Sequence, residues 1–345
     1  MTESSIPSQL RELYARAMLR ADPTDWPQLE GRAKAAAELG RRAFAERDRT
    51  AWEIVQAVEW RLHRASALRP NDPGDVLVLD ALYRAEEATL PDEKPPAGLD
   101  PKSFCELLAR TIAEHSSADG KLIGLMKDGN LSVEDWQFFG YQWVPAAIDF
   151  TRQIALCSLT LPRESAKFLY LNLYDEIGKG NPEFAHWNLL TKFLGPLGVR
   201  FDDESSILAW AAPEVLAMVN TQNRLIWHRE PGWALGSMFL AERLVPSELD
   251  QVRKAALGID LPKGSLDFFE DHVETDVGHA EDWLTIIRGM LETYEQQCVV
   301  HAAALQRGRV QRRAWDGAFE AWQVWKKTGV APHVRFEELE GAARP

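Results

Sequence analysis

The chain is short of cysteine, of positive charge and of long apolar runs, and each shortage closes a class of function. Cys105, Cys157 and Cys298 are its only cysteines. They stand far apart and form no C-x-x-C pair. That argues against a zinc knuckle or disulfide framework and fits free thiols in a reducing compartment. Lys and Arg number 39 against 52 Asp and Glu, a net charge of −13. A protein that tracks phosphates needs a basic face, as does one drawn to an anionic membrane, so neither nucleic acid nor a membrane is expected as a partner. No stretch approaches the ~20 apolar residues of a membrane helix. The N-terminal MTESSIPSQLRELYARAMLR is polar and then amphipathic, without the apolar segment of a signal peptide, so a cytoplasmic protein is expected. The sequence contains no G-x-G-x-x-G turn, P-loop or G-x-S-x-G elbow, and no repeat of helical-solenoid period.

What is present is helix. Ala, Leu, Glu and Arg fill long stretches at helical spacing, and alternating strand patterns are scarce. Helices are predicted over 9–19, from Pro27 toward Glu46, from a capping box at Thr50-x-x-Glu53, and over 76–89. The proline-rich LPDEKPPAGLDPKS then marks a linker. Beyond it a capping box at Ser132-x-x-Asp135 opens a helix expected to run past Phe150. Further helices are predicted over 165–177, from near Pro182, and over 207–220, 232–245, 247–257, 264–295 and 300–327. The expected organisation is an N-terminal helical module over 1–92, a linker over 93–103, a larger all-α bundle over 104–330, and a loose C-terminal tail over 331–345.

Chemistry concentrates in three segments of the larger bundle. In LNLYDEIGKGNPEFAHWNLL, His186 follows Glu176 by ten residues and Glu183 by three. If one helix carried both, Glu183 and His186 would share a face. In LDFFEDHVETDVGHAEDW, His272, Asp276 and His279 stand about one turn apart, so all three project from one stripe among core-type neighbours. Burying two imidazoles and a carboxylate together is costly unless they hydrogen-bond to one another or bind a cation. In WALGSMFLAERLVP, Glu242 sits among apolar and small residues, either as an exposed position or as an inward ligand, with Arg243 beside it. Carboxylates and imidazoles on facing helices are how helical bundles hold two iron or manganese ions. Spacing reaches as far as a dimetal carboxylate site and does not choose among the bundle types that carry one.

These motifs resemble the haem-oxygenase-like dimetal oxidases: NLYDEIGKGNPEFAH, then a glutamate in a small-and-apolar helix, then H-x-x-x-D-x-x-H about one helix later. The resemblance spans roughly residues 104–300. It implies a haem-oxygenase-like helical bundle that binds two Fe(II) ions, or manganese, and no haem, with O2 as co-substrate. It also implies a small-molecule substrate, an external electron donor and a homodimer formed through the N-terminal module. Carried over by position, the metal ligands are Glu176, His186, Glu242, His272, Asp276 and His279, with Glu183 an outer partner. Where the family carries a further glutamate one helix earlier, this chain has Asp149 and Phe150, and Asp149 is the only carboxylate there. The expected activity is oxidation of a small molecule, with N-oxygenation of an amine or amino-acid-like substrate favoured over oxidative C–C cleavage or decarboxylation. The opposing reading is a non-catalytic helical scaffold. Convergent side chains would favour the enzyme. Splayed ones, or a site plugged by Arg243, would favour the scaffold.

Overall fold

The computed structural model describes residues 6–68, 72–116, 120–129, 131–200, 204–228, 230–330 and 339. The described residues form helices and contain no strand. The chain divides into two compact units, the first built on Met1–Asp92 and the second on Glu93–Val330.

The first unit holds α1 (Ser8–Ala17), α2 (Trp26–Gly40), α3 (Arg49–Leu68) and α4 (Pro73–Glu87), with a π-helical turn over Arg41–Ala45 extending α2. Leu10, Tyr14, Leu29, Leu39, Trp60 and Leu82 form its core. Buried Arg32 donates to the Ala17 carbonyl and to Asp75. The cap predicted at Thr50 lies two residues earlier. Asp48 accepts from the amides of Thr50 and Ala51, because a carboxylate at that place reaches two orphan donors at once.

The second unit comprises α5 (Pro101–Ala113), α6 (Lys121–Lys127), α7 (Val133–Ala147), α8 (Phe150–Thr160), α9 (Arg163–Glu176), α10 (His186–Leu194), α11 (Glu204–Trp210), α12 (Pro213–Ile226), α13 (Pro231–Ala256), α14 (Asp267–Met290) and α15 (Tyr294–Thr328). At its centre, α13 packs against α12, α14 and α15. Residues 234–242 of α13 are buried on every face, as befits a helix in the middle of a bundle. Gly236 makes the closest approach: a Cβ there would stand 2.2 Å from the Val300 carbonyl of α15, so only glycine fits.

Several boundaries differ from expectation, and proline explains most of them. The predicted linker ends sooner, since Pro101 takes the first turn of α5 with Asp100 as its cap. The Ser132–Asp135 capping box forms as predicted. The helix it opens stops at Ala147, after Pro145 has removed one ladder bond, and Asp149 at φ −117°, ψ 1° separates it from α8. Pro213 pushes Ala212 to ψ 140° and splits the helix expected over 207–220 into α11 and α12. Pro246 does the opposite of what was expected. The two helices predicted around it are one, α13, which runs through the missing bond to the Glu242 carbonyl, with Leu244, Glu248, Leu249 and Val252 continuing its packed face past the proline. Leu339, the described residue of the expected loose tail, is fully buried, as an apolar side chain is when a surface can cover it; the rest of 331–345 lies outside the described residues.

Candidate metal centre

Four helices of the second unit bring the site together. Glu176 is the last residue of α9 and His186 the first of α10. Between them the GKGNP turn reverses the chain. Gly178 adopts φ +88°, and a Cβ there would stand 2.2 Å from the Asn181 carbonyl, so the reversal requires glycine. Pro182–Phe184 form a single 3-10 turn, and Ala185 at ψ 136° ends it. Glu183 and His186 therefore do not share a helical face as predicted, and Glu183 is exposed.

Glu176, His186, Glu242 and His272 are all between 2 and 6% exposed and line one cavity of about 130 Å3. Ligand atoms of Glu176, His186 and His272 lie within 4.8 Å of one another. His186 is held between two carboxylates, its Nδ1 2.8 Å from Glu176 Oε2 and its Nε2 2.8 Å from Asp271 Oδ2. The hydrogen bond from His186, joined by one from Lys179, holds Asp271 down at about 2, so Asp271 is ionised and accepts the Nε2 proton. That fixes the tautomer and turns the Nδ1 lone pair toward Glu176.

His279, further along α14, repeats the arrangement. Its Nε2 lies 3.0 Å from Asp175 Oδ2, and its Nδ1 faces Glu242 Oε2 at 3.7 Å. Asn172 donates to the other oxygen of Glu242 at 2.8 Å. His272 gives its Nδ1 proton to the Phe268 carbonyl at 2.7 Å, which leaves Nε2 as the unprotonated nitrogen. All three imidazoles are thus oriented by an acceptor on one nitrogen, the pattern by which proteins aim histidines at a metal.

Burial pushes the Glu176 carboxyl up, and the Glu242 charge adds to this against the pull of His186 and His279. Its Oε1 is buried and meets no hydrogen-bond donor. A buried carboxylate oxygen without a donor is unfavourable unless a cation occupies its free side, so the residues present fit a metal ion. Two glutamates and three imidazoles suit iron or manganese and are unlike a thiolate site.

Asp276 lies on α14 with the two histidines, but its side chain falls outside the described residues. Asp149 is buried in the turn before α8 and pairs with Arg152 at 3.4 Å. Phe150, not Asp149, lines the cavity. Arg243 is exposed, so it does not plug the site. Sequence reading missed Asp175, Asp271 and Asn172. The two aspartates are adjacent in sequence to Glu176 and His272, but chain neighbours on a helix point ~100° apart, so spacing alone could not join them to the site.

No helix among the described residues is long and apolar enough to cross a membrane. A domain of unknown function with a haem oxygenase-like fold from Shewanella denitrificans OS217 superposes with a TM-score of 0.54 at 18% identity, covering 69% of this chain and 99% of its own. A CADD-like protein of unknown function from Nostoc punctiforme PCC 73102 gives 0.54 at 17%, covering 65% and 99%. These likenesses show a haem oxygenase-like helical fold. No curated protein matches the chain. The model of the iron-containing redox enzymes matches residues 137–312, which takes in both histidines of α14, His186 and the two buried glutamates, and the chain belongs to that family.

Proposed function

We propose that this chain is an O2-dependent non-haem oxidase or oxygenase that holds two iron ions between α9, α10, α13 and α14. One ion would take Glu176, His186 and His272. The other would take Glu242 and His279, with Asp276 as the further carboxylate of α14. The observation that carries the reading is the doubled unit of aspartate, histidine and buried glutamate, Asp271–His186–Glu176 beside Asp175–His279–Glu242. One such unit is a common hydrogen-bonded pair; two converging on one buried centre serve no packing purpose and cost desolvation.

When bound, ferrous iron supplies the electrons and open coordination positions that O2 activation needs. The protein's own residues do the rest. Asp271 and Asp175 fix the tautomer of their histidines and aim them. Asn172 restrains Glu242, leaving one oxygen for the ion. Trp143, Phe150 and Phe268 exclude water from the cavity side, which protects a reactive centre from wasteful chemistry. The α7–α8 wall contributes Phe150 and Thr151 and no described carboxylate, so the two ion positions have unequal ligand sets.

Within this class, N-oxygenation of an amine or amino-acid-like molecule is the favoured reaction, supported by Glu176 as an added carboxylate ligand. The test is anaerobic Fe(II) titration with metal analysis, then O2 exposure with a panel of amines and amino acids. The expected result is two irons per chain, O2 uptake, and a product that has gained one oxygen atom on nitrogen. A product that has lost carbon would replace N-oxygenation by C–C cleavage. Failure of the folded chain to take up iron would overturn the reading.

A further inference from the structure

A buried arginine stands in the cavity wall, and Glu248, which lines the same cavity, is the acid nearest it in the network. Arg307 of α15 is 3% exposed and lines the same cavity as Glu176, His186, Glu242 and His272. Two of its donors are used: Nε to Gln222 Oε1 at 2.8 Å and Nη1 to Gln311 Oε1 at 2.6 Å. Both acceptors are neutral amides. Nη2, whose N–H groups lie between those of Nε and Nη1, donates to no described protein group.

The nearest acid in the network, Glu248, is held off by one residue. Gln311 donates to Glu248 at 2.8 Å and Trp315 donates to it at 3.2 Å, and no described carboxylate forms an ion pair with Arg307. Burial accordingly lowers the guanidinium to about 10, with the Glu248 charge opposing the shift. It nonetheless stays charged at neutral pH. The two glutamines therefore orient a cation without neutralising it. An oriented, desolvated guanidinium with free N–H donors on a cavity is a receptor for an anion such as a carboxylate, through charge-assisted hydrogen bonds.

We propose that Arg307 anchors the carboxylate of the small molecule processed at the metal cluster. The substrate is then an organic acid or amino acid, its acid group on α15 and its remaining chain lying among apolar side chains such as Ile123, Met126 and Phe150. Its reactive end is directed toward Glu176, His186 and His272. The role of that cluster rests on the function proposed above; the anion site does not.

The test is binding by equilibrium dialysis and tryptophan fluorescence, since Trp143, Trp187 and Trp315 line the cavity. The probes are L-leucine, L-phenylalanine, L-lysine and hexanoate, each beside its carboxamide. They are measured on the metal-free chain and, anaerobically, on the Fe(II)-loaded chain. At least one acid is expected to bind the metal-free protein saturably, with its amide about tenfold to hundredfold weaker. Arg307→Gln should lose that preference while taking up Fe(II) as the native chain does, and Arg307→Lys should recover part of it. If Arg307→Gln fails to fold, the acid-against-amide comparison on the native chain decides. The proposal is overturned if no probe binds, if amides bind as well as acids, or if folded Arg307→Gln keeps the acid affinity. Acid binding without iron uptake would leave this site standing and overturn the proposed function; iron uptake without acid binding would do the reverse.

Discussion

Replacing Glu176 by glutamine separates the needs of folding from those of metal binding. In the metal-free protein, His186 gives its Nε2 proton to Asp271 and turns a lone pair toward Glu176 Oε2 at 2.8 Å. Two acceptors cannot face each other so closely without a proton between them. Burial, which raises the Glu176 carboxyl, favours a proton shared between its Oε2 and Nδ1. That proton occupies the place of the ion. A glutamine can donate the same hydrogen bond from Nε2, but it has no charge to offer a metal. The sign of the pH dependence follows. A carboxyl raised in the folded state contributes fully below the unfolded value of 4.5 and loses that contribution as pH rises through the folded value. Above that folded value the native metal-free chain therefore carries a desolvated carboxylate that Glu176→Gln lacks. Leaving such a group uncompensated costs ~1–3 kcal/mol. At ~2–4 °C per kcal/mol, the variant should gain ~2–12 °C in melting temperature relative to the native metal-free chain as pH is raised from near 4 through the folded value. Fe(II) affinity should fall more than the ~10–100-fold that loss of an outer partner causes. Differential scanning calorimetry of EDTA-treated protein and anaerobic Fe(II) titration measure the two effects. A melting-temperature difference that does not move in favour of metal-free Glu176→Gln as pH is raised from 4, or native iron affinity, would refute the reasoning.

Asp271→Ala and Asp175→Ala should each weaken Fe(II) binding ~10–100-fold by releasing His186 or His279 from its tautomer, measured by competition with a chromophoric chelator. Iron uptake should release protons, because the ion displaces the one shared by Glu176 and His186. Apparent affinity should then rise with pH, and a pH indicator in weakly buffered solution should report acidification on loading. The two irons should bind in separable steps, since the α7–α8 wall offers Phe150 where it could offer a carboxylate; Phe150→Glu should tighten the weaker step, and a single step in the native chain would contradict this. Gly236→Ala should destabilise the protein by ~1–3 kcal/mol in urea unfolding, because a methyl group there meets the Val300 carbonyl of α15.

What the sequence determined by itself was local. Helical periodicity settled the all-α class. The two-turn spacing of His272 and His279 put both on one stripe, because a rigid helix converts sequence spacing into direction. The Ser132–Asp135 capping box was legible for the same reason, its partners lying three residues apart. Proline was legible only in part. Pro213 broke a helix, while Pro246 sat inside one whose packed face continues on both sides of it. What tertiary structure decided was long-range pairing. Asp271 reaches His186 across 85 residues, Asp175 reaches His279 across 104, and Arg307 meets Gln222 across 85. It also decided the wall before α8, where a two-residue break turned Phe150 and not Asp149 to the cavity. Metal ligands recur at helical intervals and can be read along one helix, whereas the groups that orient them come from other helices, and only the folded chain brings those together.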